Sequence, residues 1–251
     1  MRQSPKVGIA APVGAGIDTR IFDDAEALAA AVADEICVLA AAPARPFTIA
    51  LAGGSTPKRL YELLAAPPRR DRIRWADVEL YFGDERAVPP EHPDSNYGMA
   101  KRALLDHVPV TAHRMAAEKD DAAGYARLLG ERVARRRNGI PVLDLVLLGM
   151  GEDGHTASLF PGTAALAERS AWVAMNDVPQ LKTRRMTLTY PVLNAADRVW
   201  FLIAGAGKRA VVAECLAAAP RRDDPPPYPM LGVRPTDGEL IWFLDTAAAG
   251  R

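Results

Sequence analysis

Short, unbroken apolar runs alternate along the chain with longer stretches in which apolar residues return every three or four positions. The runs Phe47 to Ala52, Val78 to Phe82, Leu143 to Leu148, "RRMTLTYPVL", "RVWFLIAG" and "ELIWFLD" have strand length and mostly lack the alternation of a half-solvated strand. They predict strands, the third of them covered on both sides. Between them, a helix is predicted from about Asp24 to Ala41, with Asp23 or Asp24 as its cap, and another from Asn96 to His107. A third runs from Asp121 to about Arg137, with Tyr125, Leu128, Leu129 and Val133 on one face. Gly53 and Gly54 break the first run before Thr56-Pro57 opens a helix, and Gly205 and Gly207 lead into another. The expected fold class is α/β: an open, mostly parallel, doubly wound (Rossmann-like) sheet with helices on both faces. "RRR" at 135–137 reads as a solvated helix end, favoured there by the macrodipole. The proline-rich segment 225–229 reads as a loop that either closes over a site or merely ends a helix, the second being favoured. With no internal repeat and no long linker, residues 1–251 are expected to form a single domain.

Composition narrows the partners. The 251 residues are 49% hydrophobic and 25% charged, enough for a sizeable core. Lys and Arg total 31, as do Asp and Glu, so the formal net charge is zero. No global field draws the chain to nucleic acid or to an anionic membrane, and any anion site must be local. Cys37 and Cys215 lie in Ala-rich apolar stretches without metal-like spacing, and read as buried thiols in a reducing compartment. The apolar run within residues 1–17 is broken by Pro12, Gly14 and Gly16, and no run reaches the roughly 18 residues of a membrane span. A cytoplasmic protein is expected.

The unusual polar clusters all follow predicted strands, where an open parallel sheet gathers its loops. "GGSTP" at 53–57 offers small glycines and a helix N-terminus, a combination suited to phosphate, although a plain turn with a Ser or Thr cap reads equally well. "GAGKRA" puts Lys208 at a helix start, where a cation is unfavourable without an anion nearby, a surface lysine being the alternative. Arg184 and Arg185 begin another strand, from which one of them could reach the same anion. "FGDER" sets Asp84, Glu85 and Arg86 just past a buried strand, as a site or as an ion pair within the loop. "GEDGHTASLFPG" carries the strongest chemistry: His155 titrates near neutrality and can act as a general base, with Asp153 placed to orient it or an attacking water. His92, His107 and His113 sit in polar or loop contexts and carry no such signal. No metal set is completed around Asp153 and His155, and the Gly-x-Ser-x-Gly turn of a serine hydrolase is missing. These residues describe a phosphorylated small molecule held by loop 53–57 and Lys208, with acid/base chemistry at His155.

Taken together, "LAGGSTPKRLYELL", "YFGDERAVPPEHPDSNYGMAKRALL", "LDLVLLGMGEDGHTASLFPGT", "RRMTLTYPVLNAADRVWFLIAGAGKRAVV" and "GELIWFLD" resemble, in order and over nearly the whole chain, the non-propeller 6-phosphogluconolactonases, relatives of the glucosamine-6-phosphate deaminases. The deaminases carry a glutamate five residues after the histidine, where this chain has Phe160, and a Met-Asp-Glu-Tyr stretch where it has Gly83 to Arg86. A deaminase opens a sugar ring and moves protons between carbons, whereas a lactonase needs an activated water and a stabilised oxyanion. The resemblance therefore implies hydrolysis of 6-phospho-D-glucono-1,5-lactone to 6-phospho-D-gluconate in the oxidative pentose phosphate route, by a carboxylic ester hydrolase. A deaminase/isomerase and a silent sugar-phosphate sensor are the alternatives.

Carried over by residue, the resemblance implies that Gly53, Gly54, Ser55 and Thr56 cradle the phosphate with Lys208 and Arg185. Arg185 is favoured over Arg184 because it directly precedes "MTLT". It implies His155 as base, Asp153 as its orienter, and Asp84 and Arg86 on the sugar side, with Arg86 at the oxyanion. No metal and no cofactor are implied. The partner is the small-molecule substrate alone, with a monomer or homodimer expected.

Overall fold

The computed structural model describes residues 17–218 and 226–251, so the amino-terminal run and Pro225 lie outside it. The chain opens with β1 (Asp18–Phe22) and α1 (Ala25–Leu39), whose cap is Asp24, its side chain accepting from Ala27 N–H at 2.8 Å. β2 (Phe47–Leu51) leads into α2 (Ser55–Ala65), and β3 (Val78–Phe82) is followed almost at once by β4 (Asp84–Arg86). Then come α3 (Asn96–Ala100), β5 (Thr111–Ala112), α4 (Ala122–Arg132), β6 (Arg136–Arg137), β7 (Ile140–Pro141) and β8 (Leu145–Leu148). The remainder holds β9 (Val173–Val178), β10 (Thr183–Leu188), α5 (Tyr190–Ala195), β11 (Arg198–Ile203), α6 (Arg209–Ala218), β12 (Glu239–Asp245) and α7 (Thr246–Ala249).

Seven strands form one parallel sheet in the order β1-β12-β11-β8-β2-β3-β5. β2 and β8 are buried along their whole length, which is why they read as unbroken apolar runs: helices cover both faces. The core includes Leu28 and Ile36 of α1, Leu60 of α2, Leu80 of β3, Phe201 of β11 and Phe243 of β12. From β2 the chain builds outward through β3 and β5, then returns to place β8 on the other side of β2 and continues to β11 and β12. The order thus reverses between β2 and β8, and the crevice beyond their carboxyl ends is where such a sheet binds ligands.

Several elements differ from their sequence expectation. The strand of "RRMTLT" is not in the parallel sheet; it pairs antiparallel with β4 and β9 in a separate three-stranded sheet, and the "YPVL" that follows is the helix α5. The helix expected over 96–107 changes after Ala100 into a wider π turn over Lys101–Leu105. The helix expected to reach Arg137 stops at Arg132, and "RRR" is not a solvated helix end. Asn138 and Gly139, with φ of 51° and 82°, turn β6 back on β7 as Asn-Gly turns do. Arg135 then bridges Asp144 and Asp197, and Arg137 meets Asp237 at 3.1 Å. β1, with only one buried residue, carries too little apolar signal to be seen in the sequence.

Candidate active site

A cavity of about 220 Å³ opens at the reversal between β2 and β8. Ala52, Gly53 and Gly54 line it from the end of β2, Gly149 to Gly151 and His155 from the end of β8, and Asp84 and Arg86 from β4. Arg185 reaches it from β10 and Lys208 from the turn before α6. A second, larger cavity of about 370 Å³ beside Arg137, Tyr190 and Asn194 contains none of the candidate catalytic or phosphate-binding residues.

The turn after β8 presents the histidine. Gly151 N–H donates to His155 O at 2.8 Å and Gly154 N–H to Gly151 O at 3.1 Å, with Gly154 in the left-handed region at φ 73°. This tight turn brings the Asp153 carboxylate to 2.6 Å from His155 Nδ1, while the His155 backbone N–H donates to the same oxygen at 3.1 Å. With Nδ1–H on the carboxylate, the lone pair is left on Nε2 of a residue that lines the cavity. Burial pushes the imidazole below its ordinary pKa, partly opposed by Asp153 and Asp84, while Arg185 adds to the lowering. For Asp153, burial pushes the carboxyl up but the hydrogen bonds from His155 outweigh it, and the net direction is down. The pair is therefore a neutral imidazole oriented by a carboxylate at neutral pH.

Three cations share the cavity. Arg86 and Arg185 stand directly opposite each other across β4 and β10, an unfavourable pairing of like charges in the absence of an anion. Neither Nε has a hydrogen-bond partner although both are buried. Arg86 gives Nη1 to the carbonyl of Asp94, and Arg185 Nη1 lies 4.0 Å from Asp84. Burial pushes Arg185 below its ordinary pKa, Asp84 opposing and Arg86 adding. Arg184, its neighbour, is half exposed and pairs with Asp120 at 3.1 Å and Asp177 at 3.5 Å, pointing to the other side of the strand. Between the two arginines, the structure turns Arg185 to the cavity.

Of the remaining expected residues, Ser55 and Thr56 do not line the cavity; they form the first turn of α2 beside it. That helix has Gly54 at its cap, with φ 107° and no side-chain cap bond, so the Ser or Thr cap that the sequence allowed is not made. Asp84 is engaged at both oxygens: it accepts from Ser158 Oγ at 2.6 Å and Asn96 Nδ2 at 3.1 Å. The described end of the proline-rich segment does more than end a helix. Tyr228 packs on Gly154, where a Cβ would come within 2.5 Å of the ring, and Met230 N–H donates to Gly154 O at 3.0 Å. Among the described residues, no group of three or more His, Cys, Asp or Glu is placed to hold a metal ion.

Residues 23–242 match the model of the family described as glucosamine-6-phosphate isomerases/6-phosphogluconolactonase. The chain belongs to this family. A 6-phosphogluconolactonase of Nostoc sp. is 44% identical over 209 residues, 80% of this chain and 83% of the relative. The human 6-phosphogluconolactonase is 40% identical over 242 residues, 91% of each. Among solved structures, the 6-phosphogluconolactonase from Trypanosoma brucei superposes with a TM-score of 0.78 at 28% identity, over 94% of this chain and 98% of that one.

Asn96 and Ser158 join the site without having been singled out for it by the sequence, and Glu85 leaves it. Asn96 enters because Gly53 has no side chain: a Cβ there would lie 2.0 Å from Asn96 Oδ1. Ser158 reaches Asp84 from the segment after the histidine. Glu85, the middle of "GDER", turns away from the cavity and accepts from Ser95 Oγ and from the N–H groups of Arg86, Asn96 and Tyr97, all within 2.9 Å. Burial pushes this carboxyl up, against those bonds. The signal available for it was Ser95, whose side chain caps α3 by accepting from Gly98 N–H at 3.0 Å.

Proposed function

We propose that this chain hydrolyses 6-phosphogluconolactone to 6-phosphogluconate with His155 as the general base. The lactonase activity for which its relatives are named is the activity of this chain, a small-molecule hydrolysis in the oxidative pentose phosphate route. The observation that carries the residue roles is the Asp153–His155 pair, with Nε2 unengaged at a cavity that also holds Arg86, Arg185 and Lys208.

In this reading, Nε2 takes a proton from water as its oxygen adds to C1 of the lactone. Charge then develops on the former carbonyl oxygen, and Arg86 faces it, a preorganised donor supplying about 3 kcal/mol in comparable sites. The tetrahedral intermediate collapses with cleavage of the ring C1–O5 bond, and the imidazolium returns its proton to O5. A positioned base of this kind supplies roughly 10²–10⁴-fold. Arg185, Lys208 and the uncapped N-terminus of α2 at Gly53, Gly54, Ser55 and Thr56 hold the phosphate. Asp84 seats Arg185 and Asn96 and stays on the sugar side. An apolar Phe160 at the fifth position after the histidine supports hydrolysis over deamination, since it offers no group for a second proton transfer. Among the described residues no helix is long and apolar enough to cross a membrane. The two free, buried cysteines support a cytoplasmic setting for the one α/β domain.

The test is hydrolysis of freshly generated 6-phosphoglucono-δ-lactone, followed as coupled 6-phosphogluconate production, with wild type beside His155→Ala. Acceleration over the spontaneous rate that vanishes in the variant is the expected result. A variant as fast as wild type would remove His155 from the role of base.

A further inference from the structure

Phe160 is buried to 1% exposure, yet it stands outside the continuous apolar core. Its aromatic contacts are two polar groups of the site. The His155 imidazole stacks on its ring with centroids 3.9 Å apart and planes 23° from parallel. The Arg185 guanidinium lies over the same ring, 5.2 Å from the centroid, inside the roughly 6 Å at which a cation gains from an aromatic face. A phenylalanine ring neither titrates nor hydrogen-bonds. What it contributes is position, exclusion of water and its quadrupole.

The hydrogen bond to Asp153 restrains Nδ1, and as a single contact at one edge of the ring it leaves the imidazole room to tilt about Cβ–Cγ. A stacked neighbour fixes the plane. The two contacts together leave Nε2 one direction.

We propose that Phe160 is a positioning residue of the reaction: its ring sets the plane of the His155 imidazole and seats the Arg185 guanidinium beside it. The inference rests on the reading of His155 as the base. The charged groups that face the imidazole are Asp153 on its own turn, Asp84 from β4 and Arg185 from β10, with Arg86 and Lys208 on the same cavity. Asp153 and Asp84 favour protonation, whereas Arg185 and burial, to which the ring contributes, oppose it. Removing the ring admits water to the imidazole and moves its titration back toward the ordinary value.

Phe160→Leu keeps an apolar side chain and removes the ring. The expected result is a kcat lower by ~10–100-fold, the cost of a misplaced reacting group, with KM raised through Arg185 and the acid limb of the rate profile moved to higher pH. Phe160→Tyr, which keeps the ring, restores most of kcat. Wild-type kcat and an unmoved acid limb in folded Phe160→Leu overturn the proposal. His155→Ala, assayed alongside, separates the two readings: if it is inactive while Phe160→Leu is wild-type, only the role of Phe160 fails. If His155→Ala is itself wild-type, the base assignment fails. Should Phe160→Leu not fold, the wild-type protein decides. Ring current from Phe160 shifts the His155 Cε1 proton, identified by its loss in His155→Ala, upfield of those of His92 and His107, and a resonance in their range overturns the stack.

Discussion

Gly151 brings no side chain to the site, and the space this leaves is where the Asp153–His155 pair sits. A Cβ at Gly151 would lie 2.0 Å from His155 Nδ1, 2.2 Å from Cε1 and 2.5 Å from Asp153 Oδ1. Its φ is not among the positive ones, so the conflict an alanine meets is with the side-chain pair, which must move. Two losses follow from that movement. The 2.6 Å bond of the pair is broken or bent, at about 1.5–3 kcal/mol for a hydrogen bond to a charged group. The imidazole is displaced on the ångström scale that costs roughly 10²-fold in rate, within the ~10²–10⁴-fold that a general base supplies. The assay is kcat and KM on freshly made lactone with the spontaneous rate subtracted, beside thermal unfolding. Gly151→Ala is expected to lose about 10²-fold in kcat, with KM and melting temperature near those of wild type. Gly154→Ala, three residues on, should behave in the opposite sense. Its φ of 73° and the Tyr228 ring 2.5 Å from a Cβ place the cost in the fold, about 1–2 kcal/mol from the backbone alone. Wild-type turnover in folded Gly151→Ala would refute the claim that orientation of the imidazole by Asp153 is what the turn provides.

Four further outcomes are expected. Burial holds the His155 imidazole below its ordinary value of 6.5. With His155 as the proposed base the neutral form is the active one, so the acid limb of kcat/KM should have its midpoint below pH 6.5. Asp153→Asn removes a group that favours protonation and should move that limb further to acid while lowering the plateau; a wild-type limb above pH 6.5 contradicts this. Because the folded-state value is depressed, the stability contributed by the neutral imidazole is complete above the unfolded value and lost as pH falls through the folded one. Unfolding free energies of wild type and His155→Gln against pH check this. Arg185→Ala should raise KM strongly, whereas Arg184→Ala, already paired with Asp120 and Asp177 at the surface, should leave both kinetic constants unchanged. Glu85→Ala leaves the N–H groups of Arg86, Asn96 and Tyr97 without their acceptor. It should cost on the order of 3 kcal/mol in denaturant unfolding, the scale of a lost buried charged acceptor.

The site was legible in the sequence wherever a single turn makes it. Asp153 and His155 are two residues apart, so the turn that brings them together is local, and the glycines that permit it are part of the same segment. The same holds for Gly53 and Gly54, which must end a strand and begin a helix whatever surrounds them. "GDER" looks like one charged loop in the sequence because a three-residue strand carries too short an alternation to recognise. Once paired with β10, the segment sends Asp84 and Arg86 to the cavity and Glu85 to the opposite side, where it anchors α3. "RRR" misled for a related reason: arginines suit a helix end, but the Asn-Gly that follows makes a hairpin, and the acids that receive Arg135 and Arg137 are far along the chain.

By itself, the sequence determined the alternation of buried strands and helices, the glycine turns at the carboxyl ends of the strands, and a histidine with its carboxylate. These depend on periodicity and on backbone conformations that only a few residues adopt. Tertiary structure alone decided the pairings: Arg86 against Arg185, Asn96 in the space left by Gly53, Tyr228 on Gly154, and Asp84 held by Ser158. Each joins segments separated along the chain, and each depends on strand order and register. A slip of one residue between β4 and β10 would turn Arg184 to the cavity and Arg185 to solvent, with no change in any local pattern.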